Sequence, residues 1–141
     1  MTKVVFVGSF DPFHEGHADI VSRALSIFDR VVVGVGINPD KHYRQTPEER
    51  VRAIRSRYAD CPRVEVDHYS GMTIDFARRH GATAIIKGVR NVDDFIYEQQ
   101  QAEWNLLHGG IATLLMPADP RLKDISSTKI RQNIAKDNNK E

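Results

Sequence analysis

The chain has 141 residues, 40% of them apolar, with 20 Lys plus Arg against 19 Asp plus Glu and a formal net charge of +1. That length suits one hydrophobic core and is too short for two full domains, while near-neutrality argues against a broad nucleic-acid surface and leaves room for a local anion pocket. The longest apolar runs, Val31 to Val33 and Ile111 to Met116, fall far short of the ~20 residues of a membrane span, and Val4 to Val7 is too short for a secretory h-region. Cys61 is the single cysteine, so no internal disulfide forms. A cytoplasmic protein with an ordinary, dispensable thiol is expected.

Lys3 to Val7 is a β-branched and aromatic run closed by Gly8, and Arg30 to Ile37 is a second, closed by Asn38-Pro39. Both predict buried strands. Between them Val21, Ala24, Leu25 and Phe28 recur at i, i+3, i+4 and i+7, the stripe of a helix lying on a sheet. Thr46-Pro47-Glu48-Glu49 predicts a capping box with Pro at the first helical position, with Val51, Ile54 and Tyr58 on the apolar face and Arg50, Arg52, Arg55 and Arg57 on the wet side. Val64 to His68 alternates as a strand, Ile74 to His80 is a short helix stopped by Gly81, and Thr83 to Lys87 is the fourth strand. Phe95 to Leu107 is helical, with Trp104 expected in packing or a subunit contact. Ile111 to Met116 is the fifth strand, and Ser126 caps a last helix through Ile130 and Ile134. Residues 1–136 are expected to form one domain, followed by a frayed polar tail at 137–141. The alternation predicts an α/β, Rossmann-like fold, a five-stranded parallel sheet with helices on both faces.

Ligands of such sheets bind outside the carboxyl ends of the strands, where strand order reverses, so the segment after each strand is where chemistry is expected. Gly8 to His17 places a Ser and two His at a helix entrance. Free N–H groups and the helix dipole favour an anion there, and Gly16 permits close backbone approach. The competing local expectation is Asp11 in a turn and a His capping the helix. Zinc is not indicated, for want of an i, i+4 His pair with Glu or of Cys ligands. Lys41 follows the second strand, Lys87 and Arg90 the fourth, and Arg121, Lys123 and Ser126 to Arg131 the fifth. Each cluster alone is an ordinary solvated charge or cap. At four carboxyl ends they point to one crevice that holds a polyphosphate and a second phosphorylated molecule. Gly34-Val35-Gly36 lies within a strand and lacks the third glycine of a dinucleotide fingerprint, no P-loop occurs, and Gly8-Ser9-Phe10 is not a nucleophile elbow.

His14-x-Gly16-His17 and Ile125-Ser126-Ser127-Thr128 resemble the signatures of the nucleotidyltransferase superfamily. With Gly8 to Pro12, Asn38 to Lys41, Thr46-x-Glu48-Glu49-Arg50, Lys87 to Arg90 and Asp94-Phe95-x-Tyr97-Glu98, the chain resembles bacterial phosphopantetheine adenylyltransferases along almost its whole length. The resemblance implies transfer of adenylyl from ATP to 4′-phosphopantetheine, giving dephospho-coenzyme A and pyrophosphate. It also implies Mg²⁺ held mainly by phosphates and a cytoplasmic homohexamer without nucleic-acid or membrane partners. By the same resemblance, Ser9, His17, Lys41 and Arg90 belong at the reaction centre. ATP would contact Ser9, Phe10, His17, Gly88, Val89, Arg90, Glu98 and the run Leu122, Lys123, Asp124, Ile125, Ser126, Ser127, Thr128. Phosphopantetheine would contact Ser9, Lys41, Thr73 and Lys87.

Three positions depart from the family pattern. Ser9 stands where many members have Thr, and Lys87 replaces an Arg fork with a point charge. His14 stands where these enzymes often have Thr and nicotinate-mononucleotide relatives have His. The chain also ends soon after Ile134, sooner than many members. The chemistry needs no nucleophilic side chain, because a phosphate monoester with a second pKa of ~6 is already an anionic nucleophile at neutral pH. Two alternatives remain: a nicotinate-mononucleotide-type adenylyltransferase, favoured by His14 and Ser126 to Arg131, and a non-catalytic nucleotide sensor on the same fold.

Overall fold

In the computed structural model, which describes residues 1–138, strands and helices alternate along the chain. They are β1 (Lys3–Gly8), α1 (Glu15–Leu25), β2 (Arg30–Ile37), α2 (Pro47–Arg57) and β3 (Val64–Ser70), then α3 (Thr73–Arg79), β4 (Ala84–Val89), α4 (Val92–Gly109), β5 (Ala112–Pro117) and α5 (Ser127–Asn138). Every strand pairing is parallel, in the order β3-β2-β1-β4-β5. The order reverses between β1 and β4, where Val4 stands opposite Ala84. At that boundary one connection leaves toward each face of the sheet, opening a crevice at the carboxyl ends.

β1 is apolar at successive positions because both faces are covered. Val4 and Phe6 pack with Ile20, Val21 and Ala24 of α1 and with Val51 and Ile54 of α2. Val5 and Val7 pack on the other face with Ile74, Phe76 and Ala77 of α3. Burying one such branched side chain contributes about 1.5–3 kcal/mol, so the central strand ties both helical layers together. Gly34 explains the glycine pair inside β2: a Cβ there would overlap the Phe76 ring, so its absence lets α3 lie close on the sheet.

Several boundaries differ from expectation for local reasons. α4 begins at Val92 because Asn91 Oδ1 accepts the Asp94 N–H at 2.9 Å, and it runs to Gly109, where Gly110 at φ 62° closes it. β3 and β4 each extend two residues further, to Ser70 and Val89. α5 continues to Asn138, beyond the expected end at Lys136, and the remaining tail positions 139–141 lie outside the described residues. Among the described residues no helix is long and apolar enough to cross a membrane. Cys61 is half-buried against the core.

The main departure is Arg50. Arg52, Arg55 and Arg57 are exposed as expected, but Arg50 is only 1% exposed. Its guanidinium leaves water because the folded chain brings the Ser9 and Gly36 carbonyls and the Tyr43 ring to it.

Candidate active site

The loop from β1 to α1 is held from three sides. Phe10 adopts a left-handed φ of 49°, a conformation that costs a residue with a side chain of order 1–3 kcal/mol and persists only where packing fixes it. Its ring is buried edge-on against Phe6 and His17, with centroids 5.2 and 4.8 Å away. Asp11, expected in a simple turn, is a buried tie: its carboxylate accepts the N–H groups of Arg44 and Gln45 at 2.8 and 3.1 Å. From α5, Arg131 Nη1 donates to the Asp11 carbonyl at 2.6 Å and Ser127 Oγ to the Pro12 carbonyl at 2.7 Å.

The two histidines cap α1 reciprocally. His14 Nδ1 accepts the Gly16 N–H, and His17 Nδ1 accepts the His14 N–H, both at 3.1 Å. Their rings stack with centroids 3.6 Å apart. Burial, then the nearby Arg90, lowers the His14 pKa from 6.5 to about 4. Burial, then His14, Arg90 and Lys87, lowers His17 to about 2. Both rings are therefore neutral near pH 7, and with each Nδ1 accepting, each proton sits on Nε2. The capping expectation holds for both residues, with one ring nitrogen of each used in the cap and the other left as a donor.

Where one crevice was expected, two cavities adjoin. The first, about 400 Å³, is lined by Ser9, Lys41, Thr73 and Lys87 together with Tyr43, Tyr69 and Asn105. The second, about 270 Å³, is lined by Phe10, His14, His17, Gly88, Val89, Arg90, Leu122, Ile125 and Ser126 to Thr128. Val7, Gly8, Lys87 and Glu98 belong to both. Lys87 Nζ lies 3.4 Å from Glu98 Oε1 and donates to the Val7 carbonyl at 3.4 Å, so this ion pair forms part of the dividing wall. Arg90 Nε donates to Asp94 Oδ2 at 3.0 Å, which places the guanidinium at the rim of the second cavity.

Some expected residues lie elsewhere. Ser9 lines the first cavity and not the second. Lys123 and Asp124 line neither: turns from Asp119 to Leu122 and from Leu122 to Ile125 direct those two apolar side chains inward and leave the polar pair exposed. Arg121 faces solvent in a two-point pair with Asp119. Tyr43, Tyr69 and Asn105 were not identified from the sequence. Tyr69 Oη and Thr73 Oγ1 lie 2.9 Å apart, and Asn105 Nδ2 donates to Thr113 Oγ1 at 3.3 Å, contacts that exist only once the sheet and helices are assembled.

The cytidylyltransferase-like family matches residues 5–133. The phosphopantetheine adenylyltransferase of Phocaeicola vulgatus is 46% identical over 132 residues, covering 94% of this chain and 87% of its own. That of Cutibacterium acnes is 46% identical over 129 residues, covering 92% and 82%. A bifunctional NMN adenylyltransferase/ADP ribose pyrophosphatase from Francisella tularensis superposes with a TM-score of 0.67 at 19% identity, and this chain spans 41% of that one. At that identity the likeness speaks for the fold alone. A match running from β1 into α5, and bacterial relatives of nearly half identical sequence over most of both chains, show that this chain belongs to the cytidylyltransferase-like family, among the phosphopantetheine adenylyltransferases.

Proposed function

We propose that the chain transfers adenylyl from ATP to 4′-phosphopantetheine, giving dephospho-coenzyme A and pyrophosphate. The observation that carries this reading is the pair of cavities meeting at Gly8, Lys87 and Glu98, one for each phosphorylated substrate. ATP takes the second cavity, against Phe10, His17, Gly88 to Arg90, Glu98, Leu122, Ile125 and Ser126 to Thr128. Phosphopantetheine takes the first, against Ser9, Lys41, Thr73 and Lys87. An oxygen of the acceptor phosphate attacks the α-phosphorus of ATP in line. The new P–O bond forms as the bond to the β-bridging oxygen breaks, and its electron pair leaves on pyrophosphate. No proton has to be removed from the nucleophile. Neutral His17 donates Nε2–H to an α-phosphate oxygen as charge develops there, and Lys41, Lys87 and Arg90 offset the repulsion between the two anions.

Magnesium fits this site when held through phosphate oxygens and water. Among the described residues no three His, Cys, Asp or Glu side chains cluster, and the nearby carboxylates of Asp94 and Glu98 already face Arg90 and Lys87. Bound there, the ion would neutralise charge on the triphosphate. A homo-oligomer is supported by the apolar side chains that α4 leaves exposed, including Phe95, Ile96 and Leu107. A cytoplasmic location is supported by the use of ATP and the lone thiol. The nicotinate-mononucleotide alternative is not favoured, because the relatives of nearly half identical sequence carry the pantetheine activity in their names.

Calorimetry on two variants tests the assignment of cavities. Lys41→Ala should weaken 4′-phosphopantetheine about tenfold or more with ATP nearly unchanged, and Arg90→Ala should do the reverse, as expected for losing one charged hydrogen bond. Equal losses for both ligands in both variants would contradict the two-cavity reading.

A further inference from the structure

Arg50 heads the fully buried side chains, and it is charged. Its Nη1 donates to the Ser9 carbonyl at 2.7 Å and to the Gly36 carbonyl at 3.4 Å, while Nε and Nη2 have no acceptor among the described residues. The guanidinium carbon lies 4.0 Å from the Tyr43 ring centroid. A buried cation held only by neutral groups is costly and favours an anion nearby. Ser9, Gly36 and Tyr43 all line the first cavity, whereas Arg50 stands behind them. Tyr43 Oη accepts the Asn38 N–H at 2.9 Å, closing the loop that carries Lys41 between them. One guanidinium therefore joins the loop after β1, the end of β2 and the Lys41 loop into a single wall.

We propose that Arg50 is a positioning residue for the acceptor phosphate, locking Ser9 and the Lys41 loop together and placing beneath the cavity a positive charge that the phosphate dianion complements. This rests on the adenylyl-transfer reading above. A residue needed only for folding would lower the amount of active enzyme and leave both substrate constants alone.

Steady-state KM and calorimetric Kd for 4′-phosphopantetheine and for ATP are measured on wild type, Arg50→Met, Arg50→Lys and the Arg50→Met/Lys41→Ala pair. Arg50→Met should raise both acceptor constants about tenfold while those for ATP stay within about twofold, the loss expected for a charged hydrogen bond confined to one cavity. Arg50→Lys should raise them less, because it keeps the charge and loses the planar fork that stacks on Tyr43. It carries the test by itself if the methionine variant does not fold. In the double variant the two losses should be strongly non-additive, since both act through one wall. Acceptor and ATP constants rising together, both unchanged with only kcat reduced, or full additivity with Lys41→Ala would overturn the proposal. Wild-type product formation separates the two readings: its absence removes adenylyl transfer, whereas product with no split between the ligands removes only the role of Arg50. Binding of 4′-phosphopantetheine without product still lets calorimetry read Arg50, and no binding of it by wild type would overturn both readings.

Discussion

His17 Nδ1 accepts the His14 N–H while the residue also lines the second cavity, so a single substitution should be felt twice. His17→Ala should lower kcat on the order of 10²–10³-fold, the effect of losing one transition-state donor. It should also lower the unfolding free energy by about 1 kcal/mol through the lost cap, read as a modest fall in Tm. Stopped-time kinetics and thermal unfolding read the two effects separately, and near-normal kcat in the folded variant would leave His17 as a cap only. The lowered pKa has its own consequence. Below pH 6.5 an unfolded histidine takes up a proton that folded His17, with its value near 2, refuses. The unfolded state then binds more protons, so stability falls as pH drops from about 7 to 5. Denaturant titrations at those two pH values should show a larger loss for wild type than for His17→Ala, and equal losses would mean that the folded ring takes up the proton.

The elements themselves were mostly legible because their signals are local. β-branched runs bounded by Gly and Pro marked the strands, and Thr46 does cap α2, its Oγ1 accepting the Glu49 N–H at 3.1 Å. Ser9, His14 and His17 were legible as cavity-lining candidates because a Ser and two His at a strand-to-helix turn are close in sequence. Arg50 was not, since its partner Ser9 lies 41 residues away and helical spacing cannot report a carbonyl that arrives with the fold. The Tyr69–Thr73 and Asn105–Thr113 contacts were hidden for the same reason. Gly34 was visible as an oddity within a strand, and its cause is the packing of α3. Gly34→Val should therefore destabilise the protein by about 1–3 kcal/mol, the cost of overpacking, even though Val is the better strand former. A denaturant midpoint equal to or above wild type would mean that α3 can retreat without loss.

At the scale of the whole molecule, a nearly neutral chain gathers Lys41, Lys87 and Arg90 around one reversal of strand order and divides the space there in two. The division suits a reaction that must bring two anions together in line, and the absence of a base in the mechanism makes the acceptor's own phosphate indispensable. Pantetheine, with a hydroxyl in its place, should be inert, and nicotinate mononucleotide should react poorly. The most direct test is mass spectrometry of products from Mg-ATP with 4′-phosphopantetheine, pantetheine and nicotinate mononucleotide in parallel, with pyrophosphate counted in each. Dephospho-coenzyme A and an equal amount of pyrophosphate from the first acceptor alone is the expected result; product only from nicotinate mononucleotide, or from none of the three, would contradict adenylyl transfer to phosphopantetheine.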